Sequence, residues 1–256
     1  MRLSSITVFF PCYNDAGTIP TMLLRAVQTL PQLTDDYEVV VINDGSQDDS
    51  ALVLDEMARL YPQHVRIIHR AQPSGYGGVL RGGFAAARKD WIFYTDGDAQ
   101  YDPRELTALV DAVADGVDMV NGYKIKRHDP FHRVVIGLAY QYFVKLAFGL
   151  VIRDVDCDFR LMRRDLFGRF ELRSSSGTIC VEMIKKLQEA RCRFAEVPVH
   201  HFHRSVGRSQ YFRPKWLFKT FIDLLGLWRE LMLARPNSAG SKAAAHPAAA
   251  GSPKRH

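Results

Sequence analysis

Two carboxylates one residue apart, Asp96 and Asp98, stand just beyond the apolar run Trp91-Ile92-Phe93-Tyr94. A short β-rich run of this kind reads as a buried strand, which delivers the pair into the loop at its end. Oxygen donors so placed suit Mg²⁺ or Mn²⁺, which takes one or two carboxylates and fills its shell with water and phosphate oxygens. An Asp-x-Asp also serves as an ordinary solvated turn, so the chemistry needs partners. Two other strand-end loops offer them: Pro11-Cys12-Tyr13-Asn14-Asp15 and Asn43-Asp44-Gly45-Ser46-Gln47-Asp48. Asp48 also suits a turn or helix cap. Farther along, Lys124, Arg133, Arg160, Arg204 and Ser209 could meet an anion, and Asp154, Asp156, Asp158 and Glu182 could act as bases toward a hydroxyl.

The elements that must position these residues follow from periodicity. Residues 6–10, 38–42, 65–69, 91–94 and 118–120 are β-rich, and 18–30, 48–60, 77–88 and 103–114 have helical spacing. Asp102 and Pro103 supply an N-cap and a first-turn proline. This alternation predicts an α/β fold with a mainly parallel sheet flanked by helices, binding ligands beyond the carboxyl ends of its strands. Gly75-Tyr76-Gly77-Gly78 lacks the third glycine of a dinucleotide fingerprint and reads as flexibility in a donor-side loop.

The chain of 256 residues is long enough for one well-buried domain over 1–235, with 1–122 and 123–235 as its two halves. Residues 236–256, rich in Ala, Ser, Gly and Pro, read as a disordered tail. Four cysteines without metal spacing point to reduced thiols, and residues 1–10 make no signal peptide. The net charge of +6 conceals a split: residues 1–121 are strongly acidic and 122–216 strongly basic. No nucleic-acid motif accompanies the basic half, so an anionic membrane surface or a phosphate-bearing acceptor is the better partner. The apolar stretch 131–152 contains Gln141 and Lys145, and a central Lys costs about 2.5–3.5 kcal/mol on insertion. It reads as interfacial. Residues 215–235 form an amphipathic helix suited to a membrane surface or to packing on the core.

Taken in order, the three loops resemble the P-x-Y-N-E, D-D-G-S-x-D and D-x-D motifs of family 2 glycosyltransferases with the GT-A fold. Asp154-Val155-Asp156-Cys157-Asp158-Phe159-Arg160 is similar to the D-x-x-x-G-F-R segment of their dolichyl-phosphate mannose synthase and polyprenyl-phosphate branch, and Arg204-Ser205-Val206-Gly207-Arg208-Ser209 to its R-x-x-G-x-S loop. The resemblance implies a GT-A fold, Rossmann-like, with C-terminal amphipathic interface helices. It places Pro11, Tyr13, Asp15 and Asp44 along the donor base and ribose, with Asp96 at the donor ribose or sugar. It places Asp98 and Gln100 on Mg²⁺ or Mn²⁺. Catalysis would rest on Asp96, Asp98, Arg160 and Arg204, and acceptor binding on Lys124, Arg133, Arg160, Arg204 and Ser209. Four positions depart from the pattern: Asp15 for Glu, Asp158 for Gly, Gln210 for Lys and Lys124 for Arg. The implied activity is metal-dependent, inverting transfer of a sugar from a nucleotide diphosphate (GDP-mannose, a UDP-hexose or a UDP-N-acetylhexosamine) to a polyprenyl phosphate. The expected setting is cytoplasmic and peripheral, on the inner face of the cell membrane, with a membrane protein as a further candidate partner. A sugar-hydroxyl acceptor and a non-catalytic nucleotide-sugar-binding role are the alternatives.

Overall fold

The computed structural model describes residues 1–127, 131–204 and 214–233, with side chains described except at 126–127, 131–135 and 214–217. Five strands fall where the pattern predicts them: β1 (Ile6–Cys12), β2 (Tyr37–Asn43), β3 (Val65–His69), β4 (Trp91–Thr95) and β5 (Met119–Arg127). Between them run α1 (Ile19–Leu33), α2 (Ser50–Leu60), α3 (Gly75–Ala86) and α4 (Leu106–Asp111). A 3-10 turn over Pro103–Glu105 precedes α4, and Asp102 caps it by accepting the Arg104 N–H at 3.0 Å. Then follow α5 (Phe131–Phe148), β6 (Phe159–Arg163), α6 (Ile179–Glu189), β7 (Phe194–His201) and α7 (Pro214–Trp228).

One sheet has the order β3-β2-β1-β4-β6-β5-β7. The neighbours from β3 to β4 are parallel, as is β5 with β7, but β6 runs antiparallel to both β4 and β5. Helical periodicity gives no sign of this insertion, because β6 is a five-residue strand framed by arginines. Its pleat sorts its side chains all the same. Phe159 and Leu161 join the core under α1 and α4, while Met162 joins the one under α3, α5 and α6. Arg160 faces Tyr94 on one neighbouring strand and Asn121 on the other. β1 divides likewise, with Val8 and Phe10 on the first side and Phe9 on the second. All seven of its residues are buried, as expected for a central parallel strand.

The glycines at the start of α3 serve close packing, not the loop flexibility expected of them. A Cβ on Gly75 would stand 2.6 Å from the Ser175 carbonyl oxygen, and one on Gly77 only 2.2 Å from that of Ser174.

α7 has two apolar faces, one packed on the core and one open. Leu224 and Leu227 are buried in the core beside Val144 and Phe148 of α5, and Trp228 Nε1 donates to the Ala147 carbonyl at 2.9 Å. Phe218, Phe221, Ile222 and Leu225 form an outward stripe at i, i+3, i+4 and i+7 spacing, and all are exposed. α5 adds Tyr142 (71% exposed) and Leu146 (88%), too open to be core. Among the described residues no helix is long and apolar enough to cross a membrane.

α3 lies against β1 so closely that a Cβ on Gly83 would come within 2.3 Å of the Phe9 ring, which also stacks on Tyr94 at 5.3 Å. Gly83→Ala should therefore destabilise the protein by about 1–3 kcal/mol through overpacking. An unchanged denaturant midpoint would show that the contact is slack.

Candidate active site

The carboxyl ends of β1, β2 and β4 open on one side, and their loops are stitched together by short-range polar contacts. Asn14 sits at φ 57°, in the left-handed region that Asn tolerates. Its N–H donates to Ser46 Oγ at 3.0 Å, while its Oδ1 accepts the Gln47 N–H at 2.7 Å. Asp48 holds the Ser50 N–H at the start of α2 (3.0 Å) and the Ala16 N–H (3.1 Å), so it is both a cap and a cross-link. Thr18 Oγ1 donates to the Gly97 carbonyl at 2.8 Å. Gly97 itself admits no side chain, since a Cβ would stand 2.9 Å from the Pro11 carbonyl oxygen. The glycine of Asp96-Gly97-Asp98 is thus what lets the β4 loop lie on the β1 loop.

Into this cleft comes the segment beyond β7. The Phe202 N–H donates to the Gln100 carbonyl (2.8 Å), and Gln100 Nε2 donates to the Phe202 carbonyl (3.2 Å). Two residues on, the Arg204 guanidinium lies 3.1 Å from Asp15 Oδ1 and 3.4 Å from Asp98 Oδ2. Residues 189 positions apart in the chain therefore share an ion pair.

The electrostatics are those of an over-filled acidic pocket. Burial pushes Asp15 up to about 6, with Asp98 and Asp48 adding to the rise and the Tyr13 N–H and Arg204 opposing it. Asp98 is raised by burial and by Asp158, against the Gln100 N–H and Arg204. Asp96 is raised further, by burial, then by Asp158 and Asp98, although it accepts the Tyr76 hydroxyl at 2.8 Å. One arginine does not balance this charge, and every donor atom is a hard oxygen. That chemistry fits a divalent cation. Among the described residues no three His, Cys, Asp or Glu side chains converge as a ready-made metal cage. Such a cation would have to draw other ligands from its substrate, as Mg²⁺ does with phosphates.

The remaining expected residues divide. Pro11 is buried one residue before β1 ends at Cys12, and Tyr13, two residues on, is 41% exposed. Asp44 is buried, and its carboxylate accepts the Ser74 N–H (2.9 Å) and Ser74 Oγ (2.7 Å), with Arg70 at 3.4 Å. Arg160 is fully buried and its hydrogen bonds go to protein: Nε to Asn121 Oδ1 at 2.8 Å, and Nη atoms to Tyr94 Oη and the Val155 carbonyl. It reaches the acidic cluster only through Asp158, 3.5 Å away. Lys124 donates to the Asp156 carbonyl at 2.7 Å and lies 3.6 Å from Asp154. Glu182 is buried and accepts the Arg173 and Ser174 N–H groups at 2.8 Å each, which makes it an anchor for that loop. Ser209 and Gln210 lie outside the described residues, as does the Arg133 side chain. Sequence reasoning missed Tyr76. Its one signal was position, after a parallel strand and thus at the sheet's ligand-binding end.

Comparison with known proteins identifies the family and the fold. The profile of glycosyl transferase family 2 matches residues 7–170. The chain is 26% identical over 231 residues to the undecaprenyl-phosphate 4-deoxy-4-formamido-L-arabinose transferase of Proteus mirabilis (strain HI4320), covering 90% of this chain and 68% of that protein. Its fold is similar to that of glucosyl-3-phosphoglycerate synthase from Mycobacterium tuberculosis. In the crystal structure with Mn²⁺, UDP and glucosyl-3-phosphoglycerate, the TM-score is 0.66 at 18% identity, over 87% of this chain and 79% of that one. The structure with Mn²⁺ and UDP-glucose gives 0.64 at 19%, over 87% and 78%.

Asp15 gives the pocket a pH signature. A carboxyl whose value rises from 3.8 to about 6 on folding adds stability below the unfolded value and loses it as pH climbs to about 6. Asp15→Asn removes that dependence and keeps an oxygen for the Tyr13 N–H. Without added metal, the variant should match the wild type near pH 4 and exceed it above pH 6 by roughly 1–3 kcal/mol of unfolding free energy. Parallel stability curves across that range would count against the burial argument.

Proposed function

Because the chain belongs to the family 2 glycosyltransferases, we propose that its cleft transfers a sugar from a nucleotide diphosphate to a polyprenyl phosphate at the inner face of the cell membrane. The observation that carries this reading is the Asp15–Arg204–Asp98 bridge, which joins an acidic donor pocket to a cation from the acceptor half. The Proteus mirabilis relative bears the name of an undecaprenyl-phosphate transferase, and the fold neighbours bind UDP with Mn²⁺ or Mg²⁺; both support it.

In this reading Pro11, Tyr13, Asp15 and the Asp44–Ser74 corner line the donor base and ribose, and Asp96 meets the ribose or the sugar. Asp98 and Gln100 would hold Mg²⁺ or Mn²⁺; with Gln100 Nε2 committed to Phe202, the amide oxygen is the atom Gln100 would offer. The cation supplies neutralisation of the departing diphosphate. Arg204 orients the acceptor phosphate, whose oxygen attacks the anomeric carbon in line, forming the new C–O bond as the bond to the diphosphate breaks. Inversion follows from that geometry. A phosphate monoester is already ionised near neutrality, so no general base is required. Lys124 and Arg160 support from behind by holding the 154–158 loop. Arg133 and Ser209 remain candidates for the acceptor phosphate.

A second acceptor class, a sugar hydroxyl, is favoured by one observation. Asp158 stands where the family pattern has glycine, retains some exposure, and raises Asp96 and Asp98. A carboxylate there could take a hydroxyl proton.

The outward stripe of α7 and the open Tyr142 and Leu146 of α5 suit a lipid surface, being exposed apolar side chains on helices of the basic half. Phe218→Glu with Phe221→Glu should abolish co-sedimentation with anionic vesicles while leaving the melting temperature unchanged; retained binding would remove the membrane role from α7. For the reaction, purified protein with labelled UDP- and GDP-sugars, Mn²⁺ and a short polyprenyl phosphate should yield a lipid-linked sugar. Asp98→Ala should lower that rate at least ~100-fold. Transfer to a sugar hydroxyl that is lost in Asp158→Asn, without any lipid product, would select the second reading.

A further inference from the structure

We propose that Tyr76 is a positioning residue that fixes the orientation of Asp96 toward the donor, and that the Arg173–Ser175 loop, hung from buried Glu182, is its mount. The inference rests on reading the cleft as a nucleotide-sugar site. Tyr76 Oη lies 2.8 Å from Asp96 Oδ1. Like charge from Asp98 and Asp158 surrounds Asp96, so repulsion alone selects no single rotamer for its carboxylate. A hydroxyl is the apt partner. It holds one oxygen by a hydrogen bond without cancelling the charge, as an arginine would, and leaves the second oxygen to accept a donor hydroxyl. A phenol is protonated throughout the neutral range, so the Tyr76 hydroxyl stays a donor there.

The mount is built to close tolerance. The Gly77 N–H donates to the Ser175 carbonyl at 3.0 Å, and Arg81 donates to the carbonyls of Arg173 (2.7 Å) and Ser174. Neither Gly75 nor Gly77 leaves room for a Cβ against this loop. The loop's own N–H groups at Arg173 and Ser174 end on Glu182, which is fully buried and also takes Lys186 Nζ at 2.5 Å. Against the burial of Glu182, Lys186 and the loop's amides together hold its carboxyl below the ordinary value, so the loop hangs from a charged anchor. The chain of contacts runs from Glu182 through Ser174–Ser175 to Gly77, Tyr76 and Asp96. It accounts for a glycine motif that no nucleotide fingerprint explains, and for a carboxylate remote from the cleft.

The test is a double-mutant cycle read by calorimetric binding of UDP-glucose and of GDP-mannose, each with Mn²⁺, to wild type, Tyr76→Phe, Asp96→Asn and the double variant. Tyr76→Phe should weaken binding of the accepted donor roughly 3- to 10-fold with an unchanged melting temperature. The double variant should bind no more weakly than Asp96→Asn alone, because Tyr76 acts through Asp96. Independent, additive losses or a Tyr76→Phe that binds like wild type would each overturn the inference while leaving the functional reading intact; an unaffected Asp96→Asn would overturn the inference and the donor role given to Asp96, but not the sugar transfer itself. A wild-type protein that binds neither donor would overturn that reading and the inference with it.

Discussion

Arg204 spans Asp15 and Asp98 in a pocket where burial raises the energy of every negative charge. Everything near the cleft can be understood as a way of tolerating that concentration of carboxylate. Backbone N–H groups from Tyr13 and Gln100 face Asp15 and Asp98, and a tyrosine hydroxyl faces Asp96. None of these removes the charge. A divalent cation does, and a cleft kept short of positive charge favours one.

The sheet topology makes the bridge. β6 inserts antiparallel between β4 and β5, which brings the later part of the chain alongside the first four strands. Arg160 then lies between Tyr94 and Asn121, and through them the 154–158 loop is held against the acidic cluster. β7 completes the sheet and sends Phe202 to Gln100, so that Arg204 arrives over Asp98. Arg160 is thus part of the frame, although its motif invites placing it at the mouth. A fully buried guanidinium held by Asn121, Tyr94 and the Val155 carbonyl fixes the strands around it.

On the other face, α5 and α7 pack one side of each helix into the core and leave the other side apolar and open. Lys219 and Asp223 pair at 2.9 Å along the polar strip of α7. Trp228 ties α7 to α5 through the Ala147 carbonyl, so the open stripe of α7 is held on the same packed core that carries the sheet.

Local patterning alone made the parallel β-α alternation, the three strand-end loops, the Asp102 cap and the Asp96-Gly97-Asp98 motif legible, because each is written in neighbouring residues whose spacing has a period of two or of about 3.6. Motif order also placed Asp15, Asp98 and Arg204 on the list of site residues. Only the folded chain decided that these three touch, that Arg160 and Glu182 turn inward, that α3 begins with glycines for close packing, and that Tyr76 meets Asp96. Those outcomes depend on strand register and on contacts between separate elements, from Tyr76 and Asp96, 20 positions apart, to Asp15 and Arg204, 189 apart. Two carboxylates in a sequence carry no record of which distant cation will neutralise them, because Coulomb energy depends on separation in space and not on separation along the chain.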